Sequence, residues 1–159
     1  MQRIDLYKEY FTYEKDYYAE KLVNLEQGKK YSFNLWAGLF GLIWFCYRKM
    51  YIQSVVIFII NSIFAVATAI AISIINPFNV GNYLYSQFVI WPLSFVVLGF
   101  LGNYLYLKKS MKVVDRIASG DDFQKYETDK ITEIREKGGT SMVSALVCAG
   151  LLILLQFLS

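Results

Sequence analysis

YIQSVVIFIINSIFAVATAIAISIIN, residues 51–76, decides the fold, because this run contains no Asp, Glu, Lys or Arg. As a helix it reaches ~39 Å, enough for the ~30 Å hydrocarbon layer of a bilayer. Three more apolar stretches flank it: 31–47, 83–107 and 141–158. In lipid a backbone must satisfy its own hydrogen bonds, so such segments form helices. The expectation is an all-α integral membrane protein. Three transmembrane helices (50–76, 83–107, 141–158) accompany one re-entrant or interfacial helix (31–47). An N-terminal amphipathic helix (1–30) and a cytoplasmic helical loop (108–140) complete it.

Composition agrees. Charged residues make up 18% of the chain, against roughly a quarter in soluble domains, which leaves too little polar surface for a separate soluble enzyme domain. Histidine is absent, and with it the commonest general base and metal ligand. Cys46 and Cys148 stand far apart in apolar runs, with no CxxC pair. They read as small packing residues, and no metal site or cofactor is expected.

Residues 1–30 carry six basic and six acidic side chains, unlike a signal peptide. Tyr7, Tyr10, Phe11, Tyr17, Tyr18, Leu22 and Leu25 recur at helical spacing, and Gly28 ends the pattern. Such a face suits either the headgroup layer or packing on the rest of the chain. No basic stripe accompanies the aromatics, so no nucleic-acid partner is expected.

Residues 33–47 give only ~22 Å of helix, too short to span comfortably. Phe33, Trp36, Phe40, Trp44 and Tyr47 crowd the segment, and Gly38 and Gly41 allow a bend or close packing. Lys29 and Lys30 precede it; Arg48 and Lys49 follow it. A dip and return keeps both pairs on one side, as the positive-inside tendency requires. The uncharged turn Asn76-Pro77-Phe78-Asn79-Val80-Gly81-Asn82 then faces outward, and Lys108, Lys109 and Lys112 mark the return. The N-terminus is expected in the cytoplasm, the C-terminus outside.

No Asp, Glu, Lys or Arg lies between Tyr51 and Leu107 or between Ser141 and Ser159. Proton-coupled transport and voltage sensing need such groups, so both are disfavoured. Asn61, Thr68, Gln87, Asn103 and Gln156 remain as interhelical hydrogen-bonding residues. Small residues spaced by four (Ala65, Ala69, Ser73; Ala145, Ala149; Gly99 with Asn103) predict close helix contacts, in this chain or between copies. Pro92 predicts a kink.

Phe33-Asn34, Ala37, Phe40-Gly41, Trp44 and Tyr47-Arg48-Lys49-Met50 follow the pattern F-N-x-x-A-x-x-F-G-x-x-W-x-x-Y-R-K-M. This resembles the bacterial membrane family described as domain of unknown function 2628. Gly102-Asn103 with Tyr106, and Arg135 before Gly138-Gly139-Thr140-Ser141, resemble two further family marks. Leu42 stands where the family often has proline, and the zinc ribbon of some members is missing. The resemblance spans about residues 31–145 and implies a bacterial integral membrane protein with no established activity.

Arg48, Lys49, Asn103, Tyr106, Arg135, Gly138, Gly139, Thr140 and Ser141 should gather at the cytoplasmic interface. They form the candidate contact for membrane lipids or a partner. Arg and Lys there attract anionic headgroups, and the amides before residue 142 are placed to accept a phosphate or carboxylate. The plainer alternative is a glycine corner, a Ser141 helix cap and two orienting cations. In the loop, Met111, Val114, Ile117 and Ala118 continue a helix past the membrane until Ser119-Gly120-Asp121-Asp122. Asp129 is placed to cap a second helix carrying Ile131 and Ile134. Asp121, Asp122, Glu127 and Asp129 lack metal-loop spacing.

The functional expectation is a non-catalytic scaffold or accessory subunit in the bacterial inner membrane. Its partners are membrane lipids and either copies of itself or another membrane or cytoplasmic protein. A lipid- or small-molecule-handling role at the basic interface is the alternative.

Overall fold

A computed structural model describes residues 2–75, 82–120 and 127–158, with the side chains of 82–86, 156 and 158 excepted. Eight helices are described: α1 (Arg3–Phe11), α2 (Lys15–Glu26), α3 (Leu35–Phe40), α4 (Leu42–Tyr47), α5 (Tyr51–Ile75), α6 (Asn82–Ala118), α7 (Glu127–Lys137) and α8 (Met142–Leu158). No strand occurs among the described residues.

Three stretches are long and apolar enough to cross a membrane: Tyr51–Ile75, Gln87–Ala118, and Glu127–Leu155, whose apolar part is α8. That is the pattern of a multi-pass membrane protein. None of the most apolar window of α5 is buried within the chain. Such bare surface is stable where acyl chains rather than water cover it.

The conventional core lies at the polar ends of these helices. It joins Leu6, Tyr7, Tyr10 and Phe11 of α1, Tyr18 and Leu22 of α2, Trp44 and Phe45 of α4, Tyr106, Val114 and Ile117 of α6, and Ile134 of α7. α6 is the spine of both regions. Its 37 residues reach ~55 Å, well past one hydrocarbon layer. The helical spacing of Met111 to Ala118 is therefore realised as part of α6, ending at the turn Ser119-Gly120.

Several boundaries differ from the sequence reading. Residues 1–30 form two helices, because Thr12 (φ 58, ψ −59) and Glu14 (φ 56, ψ 38) break the run. These are costly conformations for side-chain-bearing residues. The aromatic face of α1 and α2 packs inward on α6, which settles the choice between headgroup layer and protein in favour of protein. Residues of α1 and α2 accordingly belong to the same core as α4, α6 and α7. Gly28, at φ 90, follows the end of α2 as expected.

Residues 31–47 are two helices of six residues each, hinged at Gly41 with φ 48 and ψ −123. That backbone region is open essentially to glycine. Neither piece, at ~9 Å, approaches the thickness of a bilayer. Asn34 caps α3 by accepting from the Ala37 amide at 2.9 Å, and its own amide donates to the Gly99 carbonyl at 2.7 Å. Gly99 and Gly102 let α3 sit against α6: a Cβ at Gly99 would collide with the Phe33 ring, and one at Gly102 with the Ala37 Cβ.

α7 starts at Glu127, so Asp129 sits in its first turn, where the helix dipole favours it, and not at the cap. Asp121 and Asp122, and the turn 76–81, lie outside the described residues. Pro92 lies inside α6. Asn61 and Ser94 join α5 to α6 by a 2.8 Å hydrogen bond, whereas Thr68 bonds back to its own helix at Phe64.

Gly138 is the tightest seam: a Cβ there would strike the Tyr10 backbone carbonyl. Gly138→Val should therefore lift α1 off the α7–α8 corner and cost about 1–3 kcal/mol. A lowered thermal midpoint in detergent, with faster proteolysis in residues 3–11, is the expected outcome; an unchanged midpoint would show that α1 is not seated there.

Candidate functional site

Arg48 follows α4 and is the most deeply buried charge among the described residues, its side chain 3% exposed. The chain turns sharply beside it: Lys49 takes φ 56, and the Met50 amide returns to the Phe45 carbonyl at 2.8 Å. This turn throws the guanidinium inward, between tyrosine rings. Its carbon lies 4.7 Å from the Tyr18 centroid, 5.1 Å from Tyr106 and 5.7 Å from Tyr47, all within cation–π range. Nη2 donates to Glu14 at 2.8 Å and to the Tyr18 hydroxyl at 3.0 Å.

Those two bonds use both N–H groups of Nη2. Arginine has five, and the Nε and Nη1 donors have no partner; nor do the buried hydroxyls of Tyr10 and Tyr106. Each unpaired buried polar group costs about 1–3 kcal/mol. The Tyr10 and Tyr18 hydroxyls are neutral: burial pushes both upward in pKa and outweighs the opposing pull of Arg48. The guanidinium is thus a permanent, incompletely neutralised cation. Glu14, its single carboxylate partner among the described residues, is 53% exposed.

Arg48 and Glu14 form part of the wall of a cleft of about 510 Å³, which continues along Trp36, Phe40, Ile43 and Met142. The cleft therefore has a charged end and an aromatic, apolar flank. Among the described residues no three His, Cys, Asp or Glu side chains stand together to hold a metal.

The other expected site residues are disposed differently. Tyr106 does join Arg48. Asn103 is buried but belongs to a separate knot, accepting from Asn34 at 2.7 Å and donating to the Tyr17 hydroxyl and Ser32 Oγ, both at 2.9 Å. Lys49 Nζ donates to the Glu136 carbonyl at 2.8 Å, near the end of α7 where a cation is favoured. The amides of Gly139 and Ser141 are spent on the carbonyls of Tyr10 and Tyr47, each at 2.8 Å, and so are not free to receive an anion. Ser141 caps α8 through the Ser144 amide at 3.2 Å; Thr140 is half-buried beside it. Glu14 and Tyr18 were missed as site residues. Tyr18 was legible as part of an aromatic helix face, but nothing in the spacing pairs residue 14 with residue 48.

Arg135 grips Glu9 through Nε at 3.0 Å and Nη2 at 2.6 Å, tying α7 to α1. The hydrogen bond from Arg135 holds the Glu9 carboxyl below its ordinary value, against the opposing effect of burial. A depressed carboxyl adds stability that is complete above the ordinary value of 4.5 and is lost as the pH falls through the folded value. Arg135 is 56% exposed, so the contribution is under about 1 kcal/mol. Between pH 6 and pH 3 the thermal midpoint of Glu9→Gln should fall less steeply than that of the wild type. Parallel curves would show that the pair contributes nothing.

A family model described as "Protein of unknown function (DUF2628)" matches residues 5–112. The match takes in α1 to α5 and most of α6, hence Glu14, Tyr18, Arg48 and Tyr106; it stops short of Arg135 and the Gly138–Ser141 junction. No curated protein and no solved structure matches the chain. With more than half of its length covered by that match, the chain belongs to the DUF2628 family.

Proposed function

We propose that this protein is a non-catalytic membrane scaffold or accessory subunit whose spanning helices are completed by a neighbour. The observation that carries the reading is the isolation of α8. It packs along the short α4 and meets α5 through a hydroxyl bond between Tyr51 and Ser144 at 2.8 Å. Beyond that point Leu151, Ile153, Leu154 and Phe157 are bare, and a Cβ at Gly150 would stand in open space. A bare apolar helix face with one open glycine is suited to close approach by another spanning helix. The neighbour is a second copy or another membrane protein. The firmly packed polar end supplies a platform for a cytoplasmic partner.

The proposed setting is the bacterial inner membrane, with 31–47 re-entrant through the Gly41 hinge. Support comes from the cations at both of its ends, Lys29, Lys30, Arg48 and Lys49, which one membrane face accommodates only if the segment returns. The N-terminus is then cytoplasmic and the C-terminus external. A second reading, lipid handling, is favoured by the unfilled donors of Arg48.

Mild-detergent purification should recover a stoichiometric protein partner or a defined oligomer, and Gly150→Leu should reduce it. A monomer that carries no protein in several detergents would overturn the scaffold reading. Single cysteines at Gln2 and Ser159, in a background lacking Cys46 and Cys148, should label from opposite sides of sealed vesicles; labelling from the same side would reject this topology.

A further inference from the structure

We infer that the Arg48 cleft is a binding site for an anionic phospholipid, whose phosphate displaces Glu14 while an acyl chain lies along Trp36, Phe40, Ile43 and Met142. The inference rests on the membrane setting, not on the scaffold reading.

The first observation is the unfilled guanidinium. Nε and Nη1 are buried without partners, while the faces of the group are already covered by Tyr18, Tyr106 and Tyr47. What is missing lies in the guanidinium plane, where a phosphate with several acceptor oxygens binds. Glu14 offers one oxygen, to Nη2 alone.

The second is the carrier of Glu14. It sits at φ 56 in a linker whose Thr12 is also at positive φ, and its side chain is 53% exposed. At that exposure the carboxylate has room to swing out into water. Glu14 is thus an internal anion holding the place of an external one.

The third is the flank. Trp36 and Met142 are 56% and 63% exposed, directly beside a buried cation. A charged end continuous with an apolar wall matches an amphiphile. A free phosphate would leave that wall uncovered.

The test is native mass spectrometry of the full chain in mild detergent, titrated with phosphatidylglycerol, with phosphatidylcholine, or with inorganic phosphate. The wild type should retain one phosphatidylglycerol in preference to phosphatidylcholine. Glu14→Ala should tighten that adduct roughly fivefold, the scale of removing a competing half-exposed ion pair, and leave phosphatidylcholine unchanged. Met142→Trp, a change at an exposed position, should abolish the adduct by filling the cleft. Three outcomes would overturn the inference: unchanged or weaker phosphatidylglycerol binding in Glu14→Ala, equal binding of phosphatidylcholine, or inorganic phosphate competing away the lipid. Because the readout is a lipid adduct, it is independent of whether any protein co-purifies.

Discussion

A guanidinium held among tyrosine rings is the joint on which this structure turns. Arg48 comes from the corner between α4 and α5, Tyr18 from α2 and Tyr106 from α6. Placing one cation among three rings fixes the N-terminal helices, the hinged segment and the spine relative to each other. A lysine would not serve equally, since its ammonium lacks both the flat face that stacks and the fork that reaches Glu14 and Tyr18 together. Tyr10 and Phe11 extend the cluster through edge and tilted contacts with each other and with Tyr106.

Two solvents act on the two halves of the molecule. At the polar end, burial of aromatic surface is driven by water, and Tyr7, Tyr10, Tyr18 and Tyr106 are packed to near-zero exposure. Along α5 and α8 no such force draws helices together, because lipid covers apolar side chains as well as a neighbour does. Dense packing at one end and bare helix faces at the other follow from this difference. α6 belongs to both regimes. Ser94 meets Asn61 in its N-terminal half, while Val114 and Ile117 enter the core in its C-terminal half.

The polar groups outside the Arg48 cluster hold seams. Asn34 and Asn103 lock α3 to α6 across the glycine contact. Lys109 Nζ donates to the Lys49 carbonyl at 2.7 Å, and Lys49 reaches α7 in turn. Tyr7 donates to Asp115 at 2.7 Å, and burial together with that bond raises its pKa well above the phenol range. These bonds use up donors that, read from sequence, could equally have faced a ligand. Arg48 differs because its donors outnumber the acceptors around it.

The sequence by itself determined which segments are apolar enough to meet lipid, since an uncharged run such as 51–75 suits no other setting, and helical periodicity marked Tyr7, Tyr10, Phe11, Tyr17, Tyr18, Leu22 and Leu25 as one apolar face. It also marked Ser141 as a cap and Gly41 as a bend, because both follow from local backbone chemistry. Tertiary structure alone decided that residues 1–30 break at Thr12–Glu14, that Asn103 bonds to Asn34, that the Gly139 and Ser141 amides are already occupied, and that Glu14 answers Arg48. Each of these joins positions distant in the chain or sets a strained local geometry against packing elsewhere. Periodicity and capping rules reach only a few residues along the backbone, whereas the pairing of residue 14 with residue 48 exists only once the helices have docked.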